Sequence, residues 1–152
     1  KMIESAIKIL KGEKIIDQAD IDIDIGIYGF IPEEIIPQAE LRLSIYKEIS
    51  SIKENKNLEQ NKKDFIDRFG DVTSEITNLY ELSKLKNIAR KLNILGIKYR
   101  DENFSLKLAD DSRLIPPSSK IREIKVNAKD IKSDRLTFIM SKLESFLEKN
   151  EI

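Results

Sequence analysis

Hydrophobic and polar residues follow two different periods along this chain, and each period predicts a different kind of element. Isoleucine occupies every second position of residues 20–27, and Asp20, Asp22, Asp24 and Gly26 lie between, which predicts a half-buried strand with Ile21, Ile23, Ile25 and Ile27 on one face. Elsewhere apolar residues recur at steps of three and four, the spacing of amphipathic helices. The predicted helices carry these stripes: Met2 to Leu10; Leu41, Ile45, Ile49 and Ile52; Leu58, Phe65, Ile66 and Phe69; Ile76 to Leu92; Leu136 to Leu147.

Residues at the ends of these stripes predict where the helices begin and end. We expect residues 55–57 to separate the first two long helices, and Gly70 to end the second in a left-handed conformation. Thr73 and Ser133 are of the type that caps helix N-termini, so they should begin the third helix and the last one.

The second half of the chain predicts three further strands. Residues 94–99 and 104–108 flank a turn at 101–103, with Phe104, Leu106 and Leu108 on the buried face, and a short strand should hold Ile121, Ile124 and Val126. Helices and strands are segregated and do not alternate regularly, which predicts the α+β class. We expect a helical layer packed on a small, mostly antiparallel sheet, with a C-terminal helix.

Composition excludes several kinds of chemistry. The 152 residues include no His and no Cys, so catalytic triads that use imidazole or thiolate are impossible and zinc sites are disfavoured. No glycine-rich phosphate-binding motif occurs. Twenty-seven basic residues balance 27 acidic ones, whereas a dedicated nucleic-acid binder usually has a basic excess. No apolar run is long enough to cross a bilayer.

Three groups of charged residues remain as candidates. The strand aspartates Asp20, Asp22 and Asp24 could hold Mg²⁺, although the solvated face of a strand is the simpler explanation for them. Asp64 and Asp67, three apart on one helix, could receive arginines from another protein surface, or be an ordinary solvated face. A basic group could contact an anion or nucleic acid, but acidic residues interrupt it; it comprises Lys53, Lys56, Lys62 and Lys63.

Four blocks in order resemble a known family, the C-terminal domain of the bacterial transcription-repair coupling factor (Mfd). They are KMIESAI continuing to Gly12, GFIPEEIIP at 29–37, LRLSIYK at 41–47 and FIDRFG at 65–70. The resemblance implies that residues 1–12 are a linker helix from a preceding translocase motor and that 13–152 are a regulatory domain. Since the chain starts at Lys1 and not at Met, we expect it to be a fragment of a longer protein.

The family resemblance also implies a function. Full-length members are cytoplasmic, ATP-dependent double-stranded DNA translocases that act on stalled RNA polymerase and recruit UvrA through a UvrB-like module. Their C-terminal domain is non-catalytic and masks the UvrA-docking surface until the motor engages. The positions that match its contact helix are Asp64, Asp67, Arg68 and Phe69, whose carboxylates would face arginines of the UvrB-like module.

The same resemblance assigns ATP and Mg²⁺ to the motor and neither cofactor nor metal to this part, which has no membrane partner. Arg42 and Tyr46 also match the family and could serve in the contact or in the structure. Two alternatives stay open. One is an accessory nucleic-acid-contacting domain of the motor, and the other is a small metal-dependent hydrolase that uses the strand aspartates.

Overall fold

The computed structural model describes residues 21–70, 72–112, 114–116, 120–129 and 134–150. Their elements, in chain order, are β1 (Asp22–Asp24), α1 (Ala39–Ser51), α2 (Asn55–Phe69), α3 (Ser74–Lys91), β2 (Ile94–Arg100), β3 (Asn103–Leu108), β4 (Glu123–Asn127) and α4 (Arg135–Asn150). They form two compact units, one of residues 28–84 and one of residues 21–27 with those from 85 onward. The predicted linker helix over 1–12 and the predicted cap Ser133 lie outside the described residues.

The first unit is helical and is built around one apolar cluster. Helix α1 places its predicted stripe inward, and the N-terminal half of α3 completes the cluster. Helix α2 buries Leu58 and Phe65 of its predicted stripe, but Ile66 is 36 % exposed, so the prediction that it faces inward is wrong. Ile66 lies at the edge of the stripe, because it is one residue, or about 100° around the helix, from Phe65. The buried members of the cluster are Ile31, Ile36, Ile45, Ile49, Leu58, Phe65, Ile76 and Tyr80. Full burial of a side chain of this size contributes about 1.5–3 kcal/mol, so this cluster is a major source of the unit's stability.

The helix ends of this unit agree only in part with the predictions. Thr73 caps α3 as expected, because its hydroxyl accepts a hydrogen bond from the Ile76 N–H at 3.3 Å. The break between α1 and α2 falls earlier than predicted, at Ile52–Glu54, and Asn55 begins α2. Gly70 has the expected positive φ of 89°, but its ψ of −163° is extended, so the prediction of a left-handed cap is wrong.

The second unit contains a four-stranded sheet in the order β1-β2-β3-β4. β1 pairs parallel to β2, while β2–β3 and β3–β4 are antiparallel, so the sheet is mostly antiparallel as predicted. The first strand is shorter than its alternating pattern suggests. Only Asp22–Asp24 pairs with β2, although the burial of Ile21 and Ile25 follows the predicted face.

The β2–β3 hairpin turns at Asp101 and Glu102, which both have positive φ, 51° and 62°. This is the backbone conformation that matches the twist of a tight hairpin. Side chains of β3 alternate as predicted, and the buried ones are Phe104, Leu106 and Leu108. Ile121, which was expected in the next strand, precedes β4 and is 58 % exposed.

The last helix packs its apolar stripe on this sheet. Ile139 and Leu143 are fully buried, and the Phe138 ring stacks on Phe104 with centroids 5.8 Å apart. The residue before the helix, Asp134, accepts a hydrogen bond from the Thr137 N–H at 2.8 Å and so acts as its cap. The predicted α+β class and C-terminal helix are both confirmed.

Candidate functional site

The outward face of α2 carries the two carboxylates singled out by the sequence. Leu58 and Phe65 turn inward and are almost completely buried, which fixes the opposite face of the helix toward solvent. Asp64 and Asp67 lie on that outer face and are both exposed. Because they are three residues apart in a helix, their side chains are neighbours on one surface.

Neither carboxylate is neutralised by a cation of the described chain. Asp64 accepts a hydrogen bond from the Gln60 side-chain amide at 3.1 Å, one turn earlier in the helix. Within the part of the chain that the structure describes, neither Asp64 nor Asp67 forms an ion pair. Two negative charges are thus displayed on a rigid element, where a guanidinium group of another surface could reach them.

Arg68 and Phe69 adjoin the acidic pair but have different surroundings. Phe69 is half-buried, and its ring lies 4.8 Å from that of Phe65, so it belongs largely to the core. The Arg68 guanidinium lies over the exposed side of the same ring, 4.8 Å from its centroid. The cation–π contact with the Phe69 ring therefore holds the Arg68 guanidinium beside Asp64 and Asp67.

A chain of hydrogen bonds that runs from the buried Tyr80 to the surface links α2 to α1 and α3. The fully buried Tyr80 of α3 donates a hydrogen bond to the Asn61 amide oxygen at 2.6 Å, and the Asn61 amide nitrogen donates to Glu48 of α1. Burial raises the pKa of Tyr80, and the negative charges of Glu48 and Asp64 raise it further, so the phenol stays a donor. The sequence did not identify Asn61 or Tyr80, because only packing brings these polar groups together.

Arg42 and Tyr46, for which two roles were open, both hold the loop that precedes α1. Arg42 donates to the carbonyl oxygens of Ile36 and Pro37 at 2.8 and 3.0 Å. The Tyr46 hydroxyl accepts a hydrogen bond from the Ile31 N–H at 2.7 Å. Their side chains therefore serve the structure of the first unit.

The strand aspartates do not form a metal site in the described residues. Asp24 lies 3.6 Å from the Arg100 guanidinium, and both Asp22 and Asp24 are exposed, while Asp20 lies outside the described residues. No group of three or more His, Cys, Asp or Glu side chains in the described ranges is arranged to hold a metal ion. The arrangement of Asp22 and Asp24 is that of a strand's solvated face.

The basic residues near the α1–α2 joint are on the surface of the first unit. Lys53 donates to the Ser50 carbonyl at 3.2 Å, and Lys56 and Lys63 are exposed. The prominent cation of this unit is Lys84 of α3, which pairs with Glu59 and with Glu81. Of the helices described, none has the length and apolarity that a bilayer span requires.

Fold and surface together define a small α+β domain in which α2 displays two exposed carboxylates. The family model of the TRCF domain matches residues 25–119, and the chain belongs to this family. This finding confirms the resemblance that the four sequence blocks suggested.

Similar proteins and a solved structure support the same assignment. The transcription-repair-coupling factor of Rickettsia bellii is 30 % identical over 91 % of this chain and 13 % of its own length. That of Escherichia coli is 26 % identical over 76 % of the chain and 10 % of its own length. A crystal structure of the C-terminal domain of transcription-repair coupling factor superposes with a TM-score of 0.70 at 19 % identity, covering 87 % of this chain and 96 % of that one. The chain thus spans about an eighth of the length of such relatives.

Proposed function

We propose that this chain is the non-catalytic regulatory domain of a transcription-repair coupling factor, and that it holds the complete protein in a resting state. In this proposal α2 contacts arginines of the protein's own UvrB-like module and covers the surface on which UvrA docks. The complete protein is a cytoplasmic, ATP-dependent DNA translocase whose motor binds ATP and Mg²⁺. It acts on double-stranded DNA and stalled RNA polymerase.

One observation carries the contact part of this proposal. Asp64 and Asp67 are exposed side by side on a helix, and no cation of the described chain pairs with them. Charges displayed in this way are suited to a second surface that carries guanidinium groups, since arginine can bind carboxylates through two parallel hydrogen bonds. The packed inner face of α2 and the Tyr80–Asn61–Glu48 chain keep the helix in one orientation, which lowers the entropy lost on contact.

The energetics fit a contact that has to open. A resting contact must hold until the motor engages and then release, which requires a coupling free energy of about 1–3 kcal/mol. A small interface of charged, solvent-accessible groups falls in this range, whereas a large apolar seal would not open. The acidic face is small and polar, so its chemistry matches a reversible contact.

The decisive experiment measures UvrA binding by the complete protein. With Asp64→Ala and Asp67→Ala together, we expect UvrA affinity to rise about ten-fold, because the resting contact loses both carboxylates. The matched control is Glu144→Ala with Glu148→Ala, which removes two exposed acids from α4 and should leave UvrA binding unchanged. UvrA affinity equal to wild type in the α2 variant would overturn the proposed contact.

Salt dependence separates an electrostatic contact from a merely structural effect. The isosteric pair Asp64→Asn and Asp67→Asn keeps the side-chain shape and removes only charge. We expect wild-type UvrA affinity to rise as ionic strength increases, because screening weakens the exposed contact. The asparagine variant should bind UvrA more tightly than wild type already at low salt, and its UvrA affinity should change less as the salt concentration rises.

A further inference from the structure

Two aromatic rings stand out on the surface of the first unit. Tyr28 is 72 % exposed and Phe30 is 47 % exposed, although side chains of this kind are normally covered in a folded domain. All the other tyrosine and phenylalanine side chains of the chain are buried or half-buried. The two rings are separated by a single glycine, so they form one small patch, which we call the aromatic patch.

The glycine between the rings explains why they point outward. A Cβ at Gly29 would lie 2.3 Å from the Leu79 nitrogen and 2.4 Å from its Cα, so the backbone at this residue rests directly against α3. Successive residues of an extended segment point to opposite sides. The direction in which a Gly29 side chain would point faces α3, so the rings of Tyr28 and Phe30 point the opposite way, to solvent.

Hydrogen bonds keep this segment in place. The Asn78 side-chain amide donates to the Tyr28 carbonyl at 3.3 Å, and the Phe30 N–H donates to the Glu75 carbonyl at 3.2 Å. The next residue, Ile31, is held by the Tyr46 hydroxyl. The aromatic patch is therefore preorganised, and burying it on a partner would require little ordering of the backbone.

Charge near the patch indicates the chemistry of its partner. The exposed acids Glu33 and Glu34 follow Phe30 closely. Residues 28–42 contain three acids and one base, Arg42, which lies 3.8 Å from the Glu33 carboxylate, so the segment keeps a net charge of −2. A patch of this charge is repelled by anionic lipid and by nucleic acid. It is complementary to an apolar pocket that carries lysine or arginine at its rim.

The size of the patch indicates whether its partner is a separate molecule or part of the same polypeptide. Given about 200 Å² for an aromatic side chain, the two exposed fractions amount to roughly 240 Å². A stable contact between separate proteins or two copies buries about 800 Å² on each partner. A patch this small suits a partner that covalent linkage keeps at an effective concentration in the millimolar range.

We propose that Tyr28 and Phe30 anchor this domain in a basic-rimmed apolar pocket on another module of the same complete polypeptide. The curated relatives are about eight times as long as this chain, which leaves most of such a protein to provide the pocket. The inference rests on the proposed function only in taking the chain as part of a coupling factor. It does not use Asp64 or Asp67, which lie on a different element.

The test is site-specific photocrosslinking in the complete, purified protein. A p-benzoylphenylalanine replaces Tyr28, the protein is irradiated at low concentration, and the linked peptides are sequenced by mass spectrometry. We expect an intramolecular link to a peptide outside the domain, with apolar residues and neighbouring Lys or Arg, in a yield independent of protein concentration. The same probe at Lys142, an exposed position on α4, is the matched control and should give no such link.

A second substitution makes the result specific to the patch. With the probe at position 28, Phe30→Ser should lower the crosslink yield about ten-fold, while Phe30→Tyr should retain it. Absence of any link, or links that form only between molecules and increase with concentration, would overturn the inference. If the link forms while the Asp64 and Asp67 variant leaves UvrA binding unchanged, only the proposed function of α2 fails.

Discussion

Gly29 lies where the backbone of the loop before α1 packs directly against α3. Its Cα lies so close to α3 that any side chain would meet the backbone of Leu79. Helix backbone cannot move aside as the end of a flexible side chain can. The loop before α1 and the helix α3 therefore depend on glycine at this one position.

We expect Gly29→Ala to lower the free energy of unfolding by about 3 kcal/mol, because either the loop or α3 has to shift. Gly70→Ala is the matched control, since nothing lies within 4 Å of its Cβ position and only its φ of 89° opposes alanine. That variant should lose about 1 kcal/mol. Urea unfolding measures both, and equal losses would contradict this account of Gly29.

Tyr80 makes stability depend on pH in the alkaline range. Burial raises its pKa, so the folded state keeps the phenolic proton at pH values where the unfolded chain, with a pKa near 10, releases it. The unfolded state then binds fewer protons than the folded state, and the stability that is present in full below pH 10 falls as pH rises above it.

Above pH 10, Tyr80 should lower the free energy of unfolding by at most about 1.4 kcal/mol per pH unit. Tyr80→Phe should remove this contribution. At neutral pH the variant should be less stable by about 1 kcal/mol, because the half-buried Asn61 oxygen loses its donor. Urea unfolding at several pH values between about 8 and 11 tests both effects. An unchanged slope above pH 10 in the variant would show that Tyr80 is not the group responsible.

At the scale of elements, the start of α4 depends on Asp134. Its carboxylate accepts hydrogen bonds from the Thr137 N–H at 2.8 Å and from the Thr137 hydroxyl at 3.1 Å. The N-terminal turn of a helix has N–H groups without partners inside the helix, and a side chain of this kind satisfies one of them.

We expect Asp134→Ala to reduce the free energy of unfolding by about 1 kcal/mol. Asp134→Asn should retain most of the stability that the cap contributes, because asparagine also caps helices. Asp111→Ala serves as the control, because the Asp111 side chain is exposed and the residue contributes only its carbonyl oxygen to Asn93. Thermal unfolding followed by circular dichroism compares the three. A loss as large at Asp111 would rule out capping as the cause.

Elements with a long periodic pattern could be predicted from the sequence, whereas their ends could not. The stripes of α1, α2 and α4 determine which face is buried, because covering apolar area is the dominant favourable term. Ends depend on weaker, local contacts, as at Ile52–Glu54, where the break precedes the expected one. The length of β1 depends on its pairing with Gly96 and its neighbours, which are distant in sequence.

The sequence also predicts one part of the candidate site and not another. The outward direction of Asp64 and Asp67 follows from helical geometry once Leu58 and Phe65 are inside, so the sequence alone predicts it. The part of Tyr80 and Asn61 in holding α2 could not be predicted, since it requires the distance between two helices. Phe69, predicted to contact a partner, is half-buried against Phe65. Its part in the contact stays a prediction.

At the scale of the whole molecule, charge balance bears on the alternative of nucleic-acid contact. The chain has 27 basic and 27 acidic residues, and Lys84 and Arg122, two of its cations, pair with acids of the chain itself. Binding to the phosphate backbone requires unpaired cations that displace counterions, and it weakens steeply with salt.

We therefore expect the domain to show no salt-dependent affinity for double-stranded DNA. A fluorescence-anisotropy titration between about 50 and 200 mM salt tests this expectation, because six to ten phosphate contacts would change affinity by about 10³–10⁵ over that range. Replacing Lys56 and Lys63 by Ala gives the control. Tight binding that falls with salt and is lost in this variant would favour the accessory nucleic-acid role.

The pairing of Asp22 with Gly96 has a consequence for how the protein is made. The ribosome releases β1 long before β2, and residues 28–84 of the first unit emerge between them. The helices of the first unit can fold during synthesis. During that time the isoleucine-rich strand β1 has no β2 to pair with. A translational pause placed shortly after residue 84 would prolong that exposure, so codon choice downstream of α3 should influence how much of the newly made protein aggregates.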